Sequence, residues 1–179
     1  VRVATVINFP NGDQSIDSVL GLISRCLSDG VDELDVVLPY HTLKAGHKQA
    51  VLDFLCQVRA TCGSHTLKII IESGALSATE IVTASELVIA ARADFIKTST
   101  GKNNISGASI AALKLILDAI DAQGKQEQIG IKLSGGIRTI VQAEDFLDLI
   151  ADRFGDDWIN SSRVRIGASQ LIRSITAAL

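Results

Sequence analysis

Two lysines follow apolar runs that have the character of buried strands. Lys97 comes after residues 95–96 and Lys132 after residues 129–131, so each ammonium group leaves a segment that favours burial. Burying a lysine is costly unless the side chain pairs with a carboxylate or reaches water past the rim of the sheet. Such a structural role stays open for one lysine, but two of them in parallel strands favour a chemical role.

Close placement of these two ammonium groups would lower the pKa of one of them. Unit charges about 4 Å apart repel by roughly 4 kcal/mol at an effective dielectric constant near 20, which is on the order of three pKa units. A lysine brought near neutrality is the unprotonated amine that attacks a carbonyl group. The sequence therefore predicts a Schiff-base nucleophile.

A carboxylate is available to this pair. Asp35 lies between Leu34 and Val36 in an apolar, strand-like run. It either forms a structural ion pair with one of the lysines or transfers protons while the imine forms.

Glycines follow several of the strand-like runs. Gly101, Gly135 with Gly136, and Gly167 all precede apparent helix starts, where backbone N–H groups and the helix dipole bind anions. A phosphate site is one explanation, and turns that need a positive φ are the other. A Walker loop is excluded, because Ile96 stands where its first glycine would be.

The elements that position these residues alternate along the chain. Six strand-like runs lie at residues 1–9, 33–38, 67–72, 94–98, 129–132 and 164–167. Amphipathic helices are predicted at 15–28, 79–91, 109–123 and 140–154. Strands that are apolar on consecutive residues indicate a parallel sheet. Repeated βα units then leave an open doubly wound sheet or a closed eightfold barrel, and both place their chemistry at the carboxyl ends of the strands.

Composition narrows the class of protein. The 179 residues are 47% apolar and 21% charged, which fits one folded domain. With 17 basic and 20 acidic residues and no run of like charge, the chain has no electrostatic footprint for nucleic acid or a membrane surface. No apolar run approaches the roughly 20 residues that cross a bilayer.

Cysteines and histidines indicate no metal site. The residues in question are Cys26, Cys56, Cys62, His41, His47 and His65. None has ligand spacing or a CxxC pair, so we predict packing roles for the cysteines, a reducing cytoplasmic compartment and no metal.

One segment has a specific resemblance. The string DFIKTSTGK at residues 94–102 closely resembles the Schiff-base segment of the 2-deoxyribose-5-phosphate aldolase family. Supporting matches are INFPNG at 7–12, DELDVVLPY at 32–40, KIIIESG at 68–74, GIKLSGGIRT at 130–139 and RIGAS at 165–169. The resemblance covers essentially the whole chain.

The resemblance implies a TIM (β/α)8 barrel and a class I aldolase, a carbon–carbon lyase of deoxyribonucleotide catabolism without metal or cofactor. Such an enzyme reversibly cleaves 2-deoxyribose 5-phosphate to acetaldehyde and glyceraldehyde 3-phosphate. Lys97 would form the imine, Lys132 would perturb it, and Asp35 would belong to the proton relay. The implied phosphate ligands are Gly101, Lys102, Gly135, Gly136, Arg138, Gly167 and Ser169.

The chain also departs from this family. Only six βα units are present, and the sequence has no methionine and opens in a strand. We therefore expect residues 1–179 to be one barrel domain that lacks the first two βα units, with open edges that favour pairing with another copy. Gln170 stands where a second serine is expected, and the chain ends at Leu179 without the tail of some members.

Two alternatives follow from these departures. The chain is either a truncated barrel that binds phosphate without turnover, or a phosphate-binding isomerase or synthase barrel. In the second case Lys97 only pairs with a phosphate or a carboxylate.

Overall fold

The structure is a computed structural model that describes residues 2–102 and 104–178, apart from the side chains at positions 173, 174, 177 and 178. The strands are β1 (Ala4–Ile7), β2 (Glu33–Val37), β3 (Thr66–Ile70), β4 (Phe95–Lys97), β5 (Gly130–Ser134) and β6 (Val164–Gly167). The helices are α1 (Ile16–Ser28), α2 (Tyr40–Lys44), α3 (Lys48–Cys62), α4 (Ala78–Ala90), α5 (Ile110–Ala122), α6 (Ile140–Phe154) and α7 (Ser169–Ala178). Short 3-10 turns lie at Ser73–Ala75 and Asp156–Trp158.

All six predicted strands and all four predicted helices are present, and helices α2, α3 and α7 are additional. Several strands are shorter than predicted, because the backbone turns sharply at their carboxyl ends. Asn8 after β1 and Glu72 after β3 have positive φ values of 56° and 54°. The Asn8 side chain secures its turn by donating to the Val37 carbonyl at 2.8 Å and accepting from the Gln14 N–H at 2.9 Å. Residue 1, which was predicted to begin the first strand, lies outside the described residues.

Strand order decides between the two predicted architectures. Every neighbouring pair is parallel, and the order in space is the order in sequence, β1 to β6. A doubly wound sheet reverses its order at a switch point, and this sheet does not. The doubly wound alternative is therefore wrong, and the barrel family is confirmed with six of its βα units.

The sheet is strongly curled. An oxygen of Asp35 on β2 lies 2.6 Å from Nζ of Lys132 on β5, and Glu33 on β2 lies 3.6 Å from the Arg165 guanidinium on β6. In a flat sheet β2 and β5 would be roughly 14 Å apart, farther than these two side chains bridge. The six strands thus form a curved wall whose concave face carries charged side chains. As expected, β1 and β6 are open edges.

Helices cover the convex face. Outward side chains of the strands, such as Leu34, Val36 and Ile69, are completely buried beneath them. Ser77 is the N-cap of α4 and forms a capping box with Glu80. Ser109 is the N-cap of α5. Ser109 is the residue whose hydroxyl reaches the free N–H of Ala112, at 3.1 Å.

The three cysteines lie in helices, in different environments. Cys62 is buried, and burial raises the pKa of its thiol to about 11. Cys26 is half-buried, but Cys56 is exposed, so the predicted packing role is wrong for Cys56. Over the part of the chain that is described, no helix combines the length and apolar character needed to cross a membrane.

Candidate active site

Asp35 lies at the centre of a buried cluster of charges. Its side chain is 3% exposed, and Oδ2 accepts from Lys97 Nζ at 2.7 Å and from Lys132 Nζ at 2.6 Å. Because both hydrogen bonds end on the same oxygen, the distance between the two lysine nitrogens cannot exceed the sum of the two hydrogen-bond lengths. The register of β4 and β5 places Lys97 directly beside Lys132. The structure thus brings together the three residues that the sequence singled out as catalytic.

A third lysine completes the cluster and was missed in the sequence. Lys68 on β3 is 1% exposed, and its Nζ lies 2.8 Å from Oδ1 of Asp35 and 2.6 Å from Oε2 of Glu33. The signal was available in β2, where Glu33 and Asp35 alternate with Leu34 and Val36. Two carboxylates on one face of a buried strand require cationic partners, and a lysine in the adjacent apolar strand supplies one.

These contacts set the charge of the carboxyl group. Burial by itself raises the pKa of Asp35, but the charges of Lys97 and Lys132 and the hydrogen bonds from Lys132 and Lys68 outweigh burial. The net result is a pKa lowered to about 2. Asp35 is therefore an anion throughout the neutral range.

The pKa of Lys97 is also lowered, mainly by burial. Asp35 opposes this shift by charge and hydrogen bonding, while repulsion from Lys132 and Lys68 adds to it. The direction agrees with the prediction, but the predicted leading cause is wrong. Repulsion between the lysines is secondary, because Asp35 lies between the two ammonium groups and attracts both.

A cavity of about 340 Å³ opens at the carboxyl ends of β4, β5 and β6, with Lys97 and Lys132 in its wall. Six of the seven predicted phosphate ligands line it: Gly101, Gly135, Gly136, Arg138, Gly167 and Ser169. The seventh, Lys102, is exposed and does not border this cavity in the described structure. Gln170 does line it, at the position where a serine was expected.

The glycines of this cavity meet different needs. Gly101, Gly135 and Gly136 have φ values of 72°, 83° and 82°, so the conformational explanation holds for all three. Gly167 has no such conformational need, and a Cβ built there would meet Cε of Lys132 at 3.5 Å, an ordinary contact distance. A positive φ does not exclude anion binding, because the same glycines border the cavity.

Glu72 anchors the loop that follows Lys97, and sequence reasoning missed it. The side chain is buried, and it accepts from the Thr100 hydroxyl at 2.5 Å and from the Thr100 N–H at 3.3 Å. Burial raises the pKa of the Glu72 carboxyl, opposed by the bonds from Thr100 and by the charge of Lys97. The buried carboxyl after β3 thus ties the cavity loop to the neighbouring strand.

Close backbone contact also holds this loop. A Cβ built on Gly107 would lie 2.1 Å from the Gly135 carbonyl oxygen, and one built on Gly74 would lie 2.1 Å from the Ser106 carbonyl oxygen. Only glycine permits these approaches. The loop after β4 is therefore packed against the turn after β5, which lines the cavity.

Replacing Gly107 by alanine is expected to force these loops apart. Overpacking of this kind costs about 1–3 kcal/mol, and displacement of Gly135 should weaken binding of inorganic phosphate, measured by titration calorimetry. Gly21→Ala in α1 is the control, because nothing lies within 4 Å of its Cβ position. Equal phosphate affinity and equal urea stability for the two variants would contradict the described packing.

Comparison with known proteins places the chain among aldolases. A family model described as DeoC/LacD family aldolase matches residues 2–163. A structure assigned to deoxyribose-phosphate aldolase from Coccidioides immitis is 32% identical, with a TM-score of 0.84, over 99% of this chain and 64% of that one. The tetrameric deoxyribose phosphate aldolase from Aeropyrum pernix is 25% identical, with a TM-score of 0.74, over 100% of this chain and 70% of that one.

A third similarity concerns the fold alone. A structure assigned to deoxyribose-phosphate aldolase from Toxoplasma gondii ME49 has a TM-score of 0.90 at 23% identity, over 99% of this chain and 70% of that one. Essentially the whole chain is matched in all three comparisons, and it spans between 64% and 70% of their lengths.

Proposed function

Since the chain belongs to the DeoC/LacD family of aldolases, we propose that it is a class I deoxyribose-phosphate aldolase with Lys97 as its Schiff-base residue. The reaction is the reversible cleavage of 2-deoxyribose 5-phosphate to acetaldehyde and glyceraldehyde 3-phosphate. One observation carries the proposal: Lys97 and Lys132 share Oδ2 of Asp35 in the wall of a glycine-lined cavity.

In the proposed first step, the neutral Lys97 amine attacks C1 of the open-chain sugar. Loss of water from the resulting carbinolamine yields a protonated imine. The lowered pKa of Lys97 supports this step, because it increases the fraction of unprotonated amine near neutral pH. The imine then provides the electron sink, so the proposed chemistry needs neither a metal nor an organic cofactor.

The carbon–carbon bond breaks in the second step. The C3 hydroxyl loses its proton to a base, glyceraldehyde 3-phosphate leaves, and the electron pair of the C2–C3 bond forms an enamine. Protonation at C2 and hydrolysis then release acetaldehyde. We assign proton exchange to Lys132 and Asp35, whose 2.6 Å contact links them beside Lys97.

The substrate phosphate is assigned to the glycine-lined end of the cavity. Backbone N–H groups around Gly101, Gly135, Gly136 and Gly167 would bind it with Ser169 and Arg138, all of which border the cavity. Lys102 is assigned to the exposed rim, where its charge attracts the anion.

The wider properties of the protein belong to the same proposal. We propose one barrel domain over residues 1–179 without the first two βα units, in a cytoplasmic enzyme whose partners are a phosphorylated sugar and an aldehyde. Assembly with further copies is supported by the tetrameric state of the Aeropyrum pernix protein.

Trapping of acetaldehyde tests the proposal. After incubation with acetaldehyde and borohydride, intact mass and peptide mapping should find an added ethyl group on the peptide that holds Lys97. An isomerase or synthase barrel would form no imine, and a truncated barrel would bind phosphate without turnover of the sugar. The same test on a chain extended by two N-terminal βα units separates a wrong reaction from a missing part of the pocket.

Lys132→Leu is expected to slow imine formation and to move its pH optimum upward. The charge of Lys132 lowers the pKa of Lys97, so its removal raises that pKa and leaves less free amine at neutral pH. The measurement is the rate of adduct formation with acetaldehyde across a pH series. Lys114→Leu, on the exposed face of α5, is the control and should leave the profile in place. An unmoved profile for Lys132→Leu would contradict its assigned role.

A further inference from the structure

The concave face of the sheet carries more charge than the proposed reaction uses. Beside Lys97, Lys132 and Asp35 it buries Lys68 and Glu33, which are 1% and 3% exposed. Neither residue lines the cavity that holds the predicted phosphate ligands. They therefore act on Lys97 by charge, Lys68 directly and both residues through Asp35.

Lys68 contacts a different oxygen of the Asp35 carboxylate from the one that Lys97 and Lys132 share. It occupies Oδ1 at 2.8 Å, while Oδ2 accepts from both Lys97 and Lys132. An aspartate carboxylate rotates readily about its last bond, so donors to both of its oxygens hold it in one orientation. Lys68, which does not border this cavity, contacts Oδ1 and leaves Oδ2 to the two lysines that do border it.

Glu33 in turn offsets the positive charge of Lys68. Its Oε2 lies 2.6 Å from Lys68 Nζ, and its Oε1 lies 3.5 Å from the Arg2 guanidinium and 3.6 Å from that of Arg165. Burial alone would raise the pKa of Glu33, but the hydrogen bond and charge of Lys68, with Arg165, lower it. Glu33 is therefore a buried anion placed one cation away from Asp35.

We infer that Lys68 and Glu33 are positioning residues that set the charge felt by Lys97 through Asp35, with opposite signs. Lys68 aims Oδ2 of Asp35 and adds positive charge behind it, and Glu33 offsets part of that charge. The inference rests on the proposed function of Lys97.

The charged groups around Lys97 define the direction in which each substitution should shift its pKa. Asp35 from β2, Lys68 from β3 and Lys132 from β5 interact electrostatically with Lys97, and so does Glu72 after β3. Behind these groups lie Glu33, Arg165 and Arg2. Removing the Lys68 cation should raise the pKa of Lys97. Removing the Glu33 anion should lower it, because Lys68 then repels Lys97 and draws Asp35 without compensation.

The test is the pH dependence of acetaldehyde trapping at Lys97 with cyanoborohydride. Compared with wild type, the acidic limb should move up by on the order of one pH unit in Lys68→Met and down by a similar amount in Glu33→Gln. The double variant, which removes one charge of each sign, should return close to the wild-type profile. Lys68→Arg keeps the cation and should leave the limb near its wild-type position. Glu127→Gln, whose side chain is 82% exposed, is the surface control.

A second measurement separates this inference from the proposed function. Titration of the Lys97 ε-carbon signal by NMR in the same variants reports protonation without any aldehyde. If wild type forms no adduct at any pH, the proposed function is wrong, while the signs of the NMR shifts still decide the inference. Shifts of the same sign in Lys68→Met and Glu33→Gln, or no shift in either, would overturn it. If Lys68→Met does not fold, the direction of the Glu33→Gln shift decides.

Discussion

Lys97→Ala is expected to lose the acetaldehyde adduct completely and to lower turnover of 2-deoxyribose 5-phosphate by a factor on the order of 10⁴ or more. The variant removes the amine that forms the imine, and we assign the neighbouring Lys132 to proton exchange with Asp35 at 2.6 Å instead of imine formation. Peptide mapping after borohydride reduction and a coupled assay of glyceraldehyde 3-phosphate release measure the two effects. The fold should persist, because Asp35 keeps both Lys68 and Lys132 as partners.

Two arginine variants separate the nucleophile from the charge. Lys97→Arg keeps a cation beside Asp35, but a guanidinium stays protonated and forms no imine, so it should be as inactive as the alanine variant. Lys132→Arg keeps the charge that acts on Lys97 and should retain the adduct. If Lys97→Arg still carried the ethyl group after reduction, another residue would be the Schiff-base lysine.

Asp35→Asn is expected to lower the free energy of unfolding by about 3–5 kcal/mol at neutral pH, because two buried ammonium groups and the half-buried one of Lys132 lose their shared carboxylate. The folded pKa of Asp35 is about 2 against an ordinary value of 3.8. Its stabilisation is therefore fully present above the ordinary value and is lost as pH falls towards 2. Urea unfolding across this range should show the difference between wild type and variant shrinking towards acid pH.

The same variant also tests catalysis. Imine formation should survive Asp35→Asn better than turnover does, because the proton relay is lost while Lys97 remains. Asp118→Asn is the stability control, since Asp118 pairs with Arg153 on the surface with 44% of its side chain exposed. A surface pair of this kind contributes within about 1 kcal/mol. An Asp35→Asn effect as small as the control, or one that does not change with pH, would contradict the buried network.

Local patterns determined the fold class and much of the site. Short β-branched runs and the stripes of the helices depend on neighbours along the chain, so six strands and four helices could be predicted from the sequence. Lys97 and Lys132 stood out because each ends an apolar run, and the parallel sheet brings such ends to one rim. The resemblance at residues 94–102 then indicated the aldolase family that the comparison shows.

The tertiary structure decided what depends on curvature and register. Lys68 meets Asp35 through the register of the neighbouring strands β2 and β3, whereas Asp35 meets Lys132, and Glu33 meets Arg165, only because the sheet curls until β2 faces β5 and β6. The leading cause of the lowered Lys97 pKa is burial, which is a property of the whole wall and not of spacing. Lys102 lies in the recognised segment yet outside the cavity, since side-chain direction in a loop is set by its packing. The sequence thus identified residues whose side chains are capable of catalysis. The curling of the strands into a curved wall determined which of them meet.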